Sequence, residues 1–170
     1  MANHPHHENP DPTPAEVHAH AAAARAKKLA EAKAIGIDAV FIARLVDTFY
    51  GKIRADALLG PIFAARIGDW DVHLDRMKRF WRSVLHNSGE YSGNPMAKHV
   101  AIDGLDAQHF VHWLDLFYAT LRELEQHDEA SKLIAMRARM IADSLLTGIA
   151  MRDGGLAGAR AGENLPHLAG

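Results

Sequence analysis

Trp70-Asp71-Val72-His73-Leu74-Asp75-Arg76-Met77-Lys78-Arg79-Phe80-Trp81-Arg82-Ser83-Val84-Leu85 decides the fold. Trp70, His73, Leu74, Met77, Phe80, Trp81, Val84 and Leu85 recur every three or four residues, the period of an α-helix, and so form one broad apolar stripe. His73 lies on that stripe and faces the core. A single histidine so placed is ordinarily a hydrogen-bonded core residue. A second one, His99, also sits among large apolar residues in helical sequence, and a haem iron held between two helices would need such a pair.

The same helical period runs outward from this stretch over about 37 to 151, with no alternating strand of useful length and no Asn-Gly hairpin turn, so the expected fold is all-α. A first helix is expected from Asp38 to Ala55, with Val40, Phe41, Leu45, Val46, Phe49, Tyr50 and Ile53 on its apolar face. Gly60-Pro61 is expected to interrupt the next turn and to present Phe63 from a corner. After the helix of Trp70 to Asn87, the loop Ser88 to Gly93 leads to Asn94-Pro95, an N-cap followed by proline at the first helical position, which starts a short helix carrying His99. Two long helices follow. One spans Asp106 to Gln126 and carries Phe110, Trp113, Leu114, Phe117, Leu121 and Leu124; the other spans Asp128 to Met151 with Leu133, Met136, Met140, Ile141, Leu145 and Ile149.

The flanks are expected to be secondary to this domain. Residues 1–36 form an extension: a start rich in proline and histidine, with His4, His6 and His7, is expected to be disordered, and an alanine-rich helix from Ala15 to Ile35 to dock weakly. Residues 152–170, rich in Gly and Ala, are expected to be a flexible tail. The 170 residues are 48% hydrophobic and 24% charged, which suits one soluble domain. A net charge of -2 gives no electrostatic case for nucleic acid or an anionic membrane as partner. The amino terminus does not read as a secretory signal, so a cytoplasmic protein is expected. With no cysteine, disulfides, thiolate metal sites, thiol nucleophiles and covalent haem attachment are excluded, and any haem must be held non-covalently.

The site residues follow from what haem needs: one neutral imidazole on a structured element, an apolar envelope, and a face open to a further ligand. His99, about one turn into its capped helix, suits the imidazole. Tyr50, His73 and Trp113 bring polar heads on the apolar faces of three different helices, where each could donate to a bound diatomic molecule. His109 and His112 have a spacing seen on metal-binding faces, but no carboxylate or cysteine aligns with them in sequence; they read as surface or edge residues. His86, His127 and His167 sit among polar neighbours and are expected to face solvent.

The segments Phe49 to Arg54, Leu59 to Phe63, Trp70 to His73, Phe80-Trp81, Tyr91 to Met96 with His99, and Trp113 to Phe117 together resemble the truncated haemoglobins, most closely the third group. The resemblance covers about 38 to 150 and implies a globin-like two-over-two α-helical sandwich around haem b. It makes His99 the proximal iron ligand, Tyr50 and Trp113 distal hydrogen-bond donors, and His73 the distal or gating histidine. Phe63 would pack on the haem face and Met77 would form an apolar wall, with Phe49, Phe80 and Trp81 completing the envelope. Arg76 would reach a haem propionate. Paired-glycine motifs, on which other groups rely, are replaced here by Gly60-Pro61 and Ser92-Gly93-Asn94-Pro95.

Three readings of function remain open on this sequence. The first is a five-coordinate haem protein that binds dioxygen, nitric oxide or related diatomic ligands, used for oxygen binding or for redox detoxification with dioxygenase or peroxidase-like activity and an unidentified reductase. The second is a six-coordinate electron-transfer or sensing module in which His73 also ligates iron. The third is a haem-free interaction domain with all the named residues in its core.

Overall fold

Asp38, Asp69, Asn94 and Asp106 each precede a helix and each accept a backbone N–H from its first turn: Phe41 at 2.7 Å, Val72 at 3.1 Å, Ala97 at 3.0 Å and Gln108 at 3.0 Å. Such a cap is worth about 1 kcal/mol. The computed structural model describes residues 11–124 and 127–169. In chain order the helices are α1 (Pro14–Ala34), α2 (Ala39–Ala55), α3 (Leu59–Ala64), α4 (Trp70–His86), α5 (Pro95–Val100), α6 (Ala107–Glu123) and α7 (Asp128–Gly154), with a 3-10 turn at Gly155–Gly158. Thr13 and Glu16 close α1 with a reciprocal capping box, so Pro14 sits in the first turn, where its missing N–H is harmless. The His4, His6 and His7 tract and Gln126, the expected end of α6, lie outside the described residues.

Helix α2 packs on α4 and α6 packs on α7, and the two pairs meet where α2 lies against α6. The seam between them is aromatic. Phe117 stacks on Trp113 at 5.3 Å and on Trp81 at 5.2 Å, while Phe49 meets Phe117 and Trp113 edge-on at 5.1 and 5.3 Å. Around this stack Ile42, Leu45, Ile53, Leu114 and Ile134 are fully buried, each contributing about 2 kcal/mol by leaving water. Ion pairs Lys78–Asp47 (2.8 Å) and Lys52–Glu123 tie α4 and α6 to α2 at the surface. Helix α1 leans on α4, and Ala32, near its end, is its buried residue.

Several expectations are corrected. Gly60-Pro61 does not interrupt a helix; α3 runs through both, and Phe63 is presented from a regular turn. Pro61 falls in the first turn, where it removes no helical hydrogen bond. Gly60 lets α3 close on α2, since a Cβ there would lie 3.2 Å from the carbonyl oxygens of Ile53 and Arg54. His86 does not face solvent but is 5% exposed, with Nε2 donating to the Ile37 carbonyl oxygen at 2.7 Å. Val40, Met136 and Met140 are exposed, so the apolar faces of α2 and α7 are narrower than their composition suggests.

The tail expected to be flexible is packed. Helix α7 continues to Gly154, and beyond it Leu165 is buried in the core. Arg139 donates to the carbonyl oxygens of Leu165 (3.0 Å) and Glu163 (2.9 Å), and the Tyr118 hydroxyl donates to that of Pro166 at 2.8 Å. Backbone acceptors satisfied by long side chains leave no periodic trace in sequence, which is why the segment reads as a loop.

His86→Leu tests the buried bond that joins the start of α2 to the end of α4. It leaves the Ile37 carbonyl without a partner, and urea unfolding should register a loss of about 1–3 kcal/mol.

Candidate functional site

Asn94 at the N-cap and Pro95 at the first position start α5 at a fixed point, and His99 follows one turn later. Its Nδ1 lies 2.7 Å from the Pro95 carbonyl oxygen. A carbonyl can only accept, so Nδ1 carries the proton and Nε2 keeps its lone pair for a metal.

Across from α5, α4 presents His73. Its ring meets Tyr50 at 5.1 Å and Trp70 at 5.8 Å, both edge-on, and Tyr50 in turn meets Phe63 at 5.9 Å. His73 Nε2 is buried without any hydrogen-bond partner among the described residues. Such an orphan is costly, about 1–3 kcal/mol, and marks a place where a ligand completes the structure. Burial, then the charges of Arg76 and Lys98, push the His73 imidazole down to about 4, so it is neutral at pH 7. Arg76 and Arg79 of α4 and Lys98 of α5 line one cleft, so the two helices face each other there. Burial, with a smaller effect from Tyr91, raises the Tyr50 hydroxyl far above its ordinary range and keeps it a donor.

The structure brings Tyr50, His73 and Phe63 together directly and joins Trp113 to them through Phe49, which meets Tyr50 at 5.1 Å. Phe49 and Trp81 lie within the interior stack, whereas Met77 and Phe80 are half-buried against it. Arg76 lines a cleft of about 370 Å3 between α4 and α5, with Arg79, Lys98, Tyr91 and Glu90. Loop 88–94 is pinned over it: Glu90 accepts twice from Arg82 at 2.9 Å, the Tyr91 N–H donates to Ser83 Oγ at 2.9 Å, and the Tyr91 ring meets Phe80 at 5.1 Å. Arg82 holds the Glu90 carboxyl down at about 2.

His109 and His112 are not a pair. His109 bonds its own N-cap Asp106 at 2.9 Å, while His112 Nε2 donates to Asp56 at 2.6 Å, and no group of three histidines or carboxylates converges to hold a metal among the described residues. The other oxygen of Asp56 accepts from Leu58 and Leu59 at the start of α3. Sequence reasoning missed this link between α6 and the α3 corner because its partners are 56 residues apart.

Two stacked helix pairs, with one histidine on α4 and another on the short α5, are the arrangement of a globin. No family model matches the chain. It is 37% identical over 105 residues to the group 3 truncated haemoglobin ctb of Campylobacter jejuni, a match covering 59% of this chain and 82% of that protein. The crystal structure of the group III truncated haemoglobin from Campylobacter jejuni aligns with a TM-score of 0.63 and 34% identity, over 66% of this chain and 91% of the other. The chain therefore belongs to the group III truncated haemoglobins. That family implies a haem, and the residues here fit one: a histidine whose Nε2 is left free by its own helix, an orphaned buried nitrogen on α4, and a cleft lined by Arg76, Arg79 and Lys98 together with Glu90.

The His73 shift gives a signed pH dependence. Unfolded, this imidazole takes a proton below about 6.5, whereas folded it does so only near 4. Its contribution to stability is therefore complete above 6.5 and is lost as the pH falls from there through 4. For the haem-free chain the urea midpoint should drop across that window, and His73→Phe should flatten the drop.

Proposed function

We propose that this chain holds haem b non-covalently, with His99 as the proximal ligand of a five-coordinate iron, and binds dioxygen, nitric oxide or another diatomic molecule on the side of Tyr50, His73 and Trp113. The observation that carries this reading is the buried, partnerless His73 Nε2, with the Tyr50 ring edge-on at 5.1 Å. A polar nitrogen left unsatisfied among aromatic rings awaits a partner. When bound, haem supplies an iron that takes a diatomic ligand and changes oxidation state.

The chain's own residues do the rest. His99 keeps Nε2 deprotonated by donating its Nδ1–H to the Pro95 carbonyl oxygen. Arg76, Arg79 and Lys98 receive the propionates at the rim of the cleft. Phe63, Met77 and Phe80, with the interior stack of Phe49 and Trp81 behind them, exclude water. Tyr50 and neutral His73 donate to the ligand, and Trp113 adds an indole N–H from α6. Preorganised donors of this kind stabilise negative charge that develops on oxygen, which suits retention and redox detoxification better than rapid delivery. The same chemistry calls for an electron-donating reductase. No helix of the described residues is long and apolar enough to cross a membrane.

A second reading, in which His73 also ligates the iron, is favoured by the same orphaned Nε2. The unliganded ferrous spectrum separates the two: high-spin bands support five coordination, and low-spin bands lost in His73→Ala support six.

Reconstitution with haem tests the site itself. The parent should develop a Soret band that His99→Ala loses or shifts, and a parent without one ends the reading. Stopped-flow dioxygen release should quicken by about 10-fold in Tyr50→Phe, the equivalent of one lost hydrogen bond, and also in Trp113→Phe. Parent-like release in both variants would remove these side chains from the ligand.

A further inference from the structure

Helix α5, which carries His99, has only six residues and none of them is fully buried. A helix this short does not hold itself. Its position must be imposed from outside, and α7 imposes it at two points. Near the start of α5 the Met96 thioether lies on Gly148, so close that a Cβ at 148 would overlap its sulfur. At the end of α5, Arg152 Nη1 donates to the carbonyl oxygen of Val100, one of the last-turn carbonyls that a helix leaves unsatisfied. The guanidinium also brings positive charge to the helix's negative end.

Arg152 is itself aimed. Asp153 accepts from its Nε at 2.6 Å and its Nη2 at 3.0 Å, which fixes the plane of the fork and leaves Nη1 for Val100. Asp103, in the turn just after α5, adds a second carboxylate acting on the same guanidinium. One cation is thus bracketed between the end of α7 and the end of α5, and Val100 is the residue next to His99.

We infer that Arg152 is a positioning residue for His99: by clasping the Val100 carbonyl while Met96 is seated on Gly148, it sets the tilt of α5 and through it the bond from His99 to iron. This rests on the haem reading above. Arg152 lies outside the span in which the sequence resembles the family, in the stretch expected to be a flexible tail, and the structure places it in α7.

The test compares the full-length parent with Arg152→Met, which keeps the stem and loses the donors, and Arg152→Lys, which restores one. Without haem, amide hydrogen exchange over residues 95–100 should quicken by about 10-fold in Arg152→Met, the scale of one charge-assisted hydrogen bond, with α2 and α6 unchanged and Arg152→Lys between. With haem, the iron–histidine stretching band of the unliganded ferrous protein should move to lower frequency in Arg152→Met and return towards the parent in Arg152→Lys. Exchange that quickens equally in α2 and α6 would overturn the inference, since the role would then be general stability. A parent that takes up haem, with Arg152→Met matching its band and its exchange, would overturn this inference alone. A parent that takes up no haem would overturn the proposed function and this inference with it.

Discussion

The hydrogen bond between His99 Nδ1 and the Pro95 carbonyl oxygen is the constraint on which the site depends. It decides a tautomer. Because the acceptor is a backbone carbonyl four residues earlier, the choice follows from helix geometry and not from a neighbour that could move. Asn94 fixes where the helix begins, proline enforces the first backbone angle, and the histidine one turn later has a single way to satisfy Nδ1. What remains is an imidazole with a lone pair on Nε2, the form a metal takes.

On the opposite side the physics is reversed. There the chain leaves a polar atom unsatisfied: His73 Nε2 is buried with no partner, and beside it the Tyr50 hydroxyl is held protonated by burial. Packing offsets the cost. The Phe49, Trp81, Trp113 and Phe117 stack is tight enough, and the flanking caps strong enough, to keep that nitrogen in place without a partner of its own. Burial, and with it the cations Arg76 and Lys98, keeps the His73 imidazole neutral, and the same cations stand where negative propionates would be compensated. One set of charges serves the cofactor and the distal histidine together.

How much of this the sequence discloses depends on whether the signal is periodic or pairwise. The long helices, the Asn94-Pro95 start and the apolar stripe around His73 are periodic or local, and the helices lie within a few residues of where the pattern places them. Contacts between single residues far apart are not periodic. The His112–Asp56 bond, the Arg139 clamp on the tail, the buried His86 and the Arg152 clasp on Val100 each join a polar residue to a partner that no spacing rule selects. Polar neighbours in sequence made His86 look exposed, although its ring reaches a carbonyl 49 positions away. Met136 and Met140 erred in the other direction, since a methionine on an apolar stripe can still face water when the partner helix is narrow.

The central claim is that His99 alone holds the metal of the cofactor while His73 stays on the ligand side. Zinc protoporphyrin, a diamagnetic analogue that takes one axial ligand, tests it directly when titrated into the chain labelled with 15N at histidine. The account predicts that the His99 Nε2 resonance alone takes on the shift of a metal-bound nitrogen, with its Nδ1 proton still protected by Pro95. A metal-bound shift at His73 instead, or at no histidine, would contradict it.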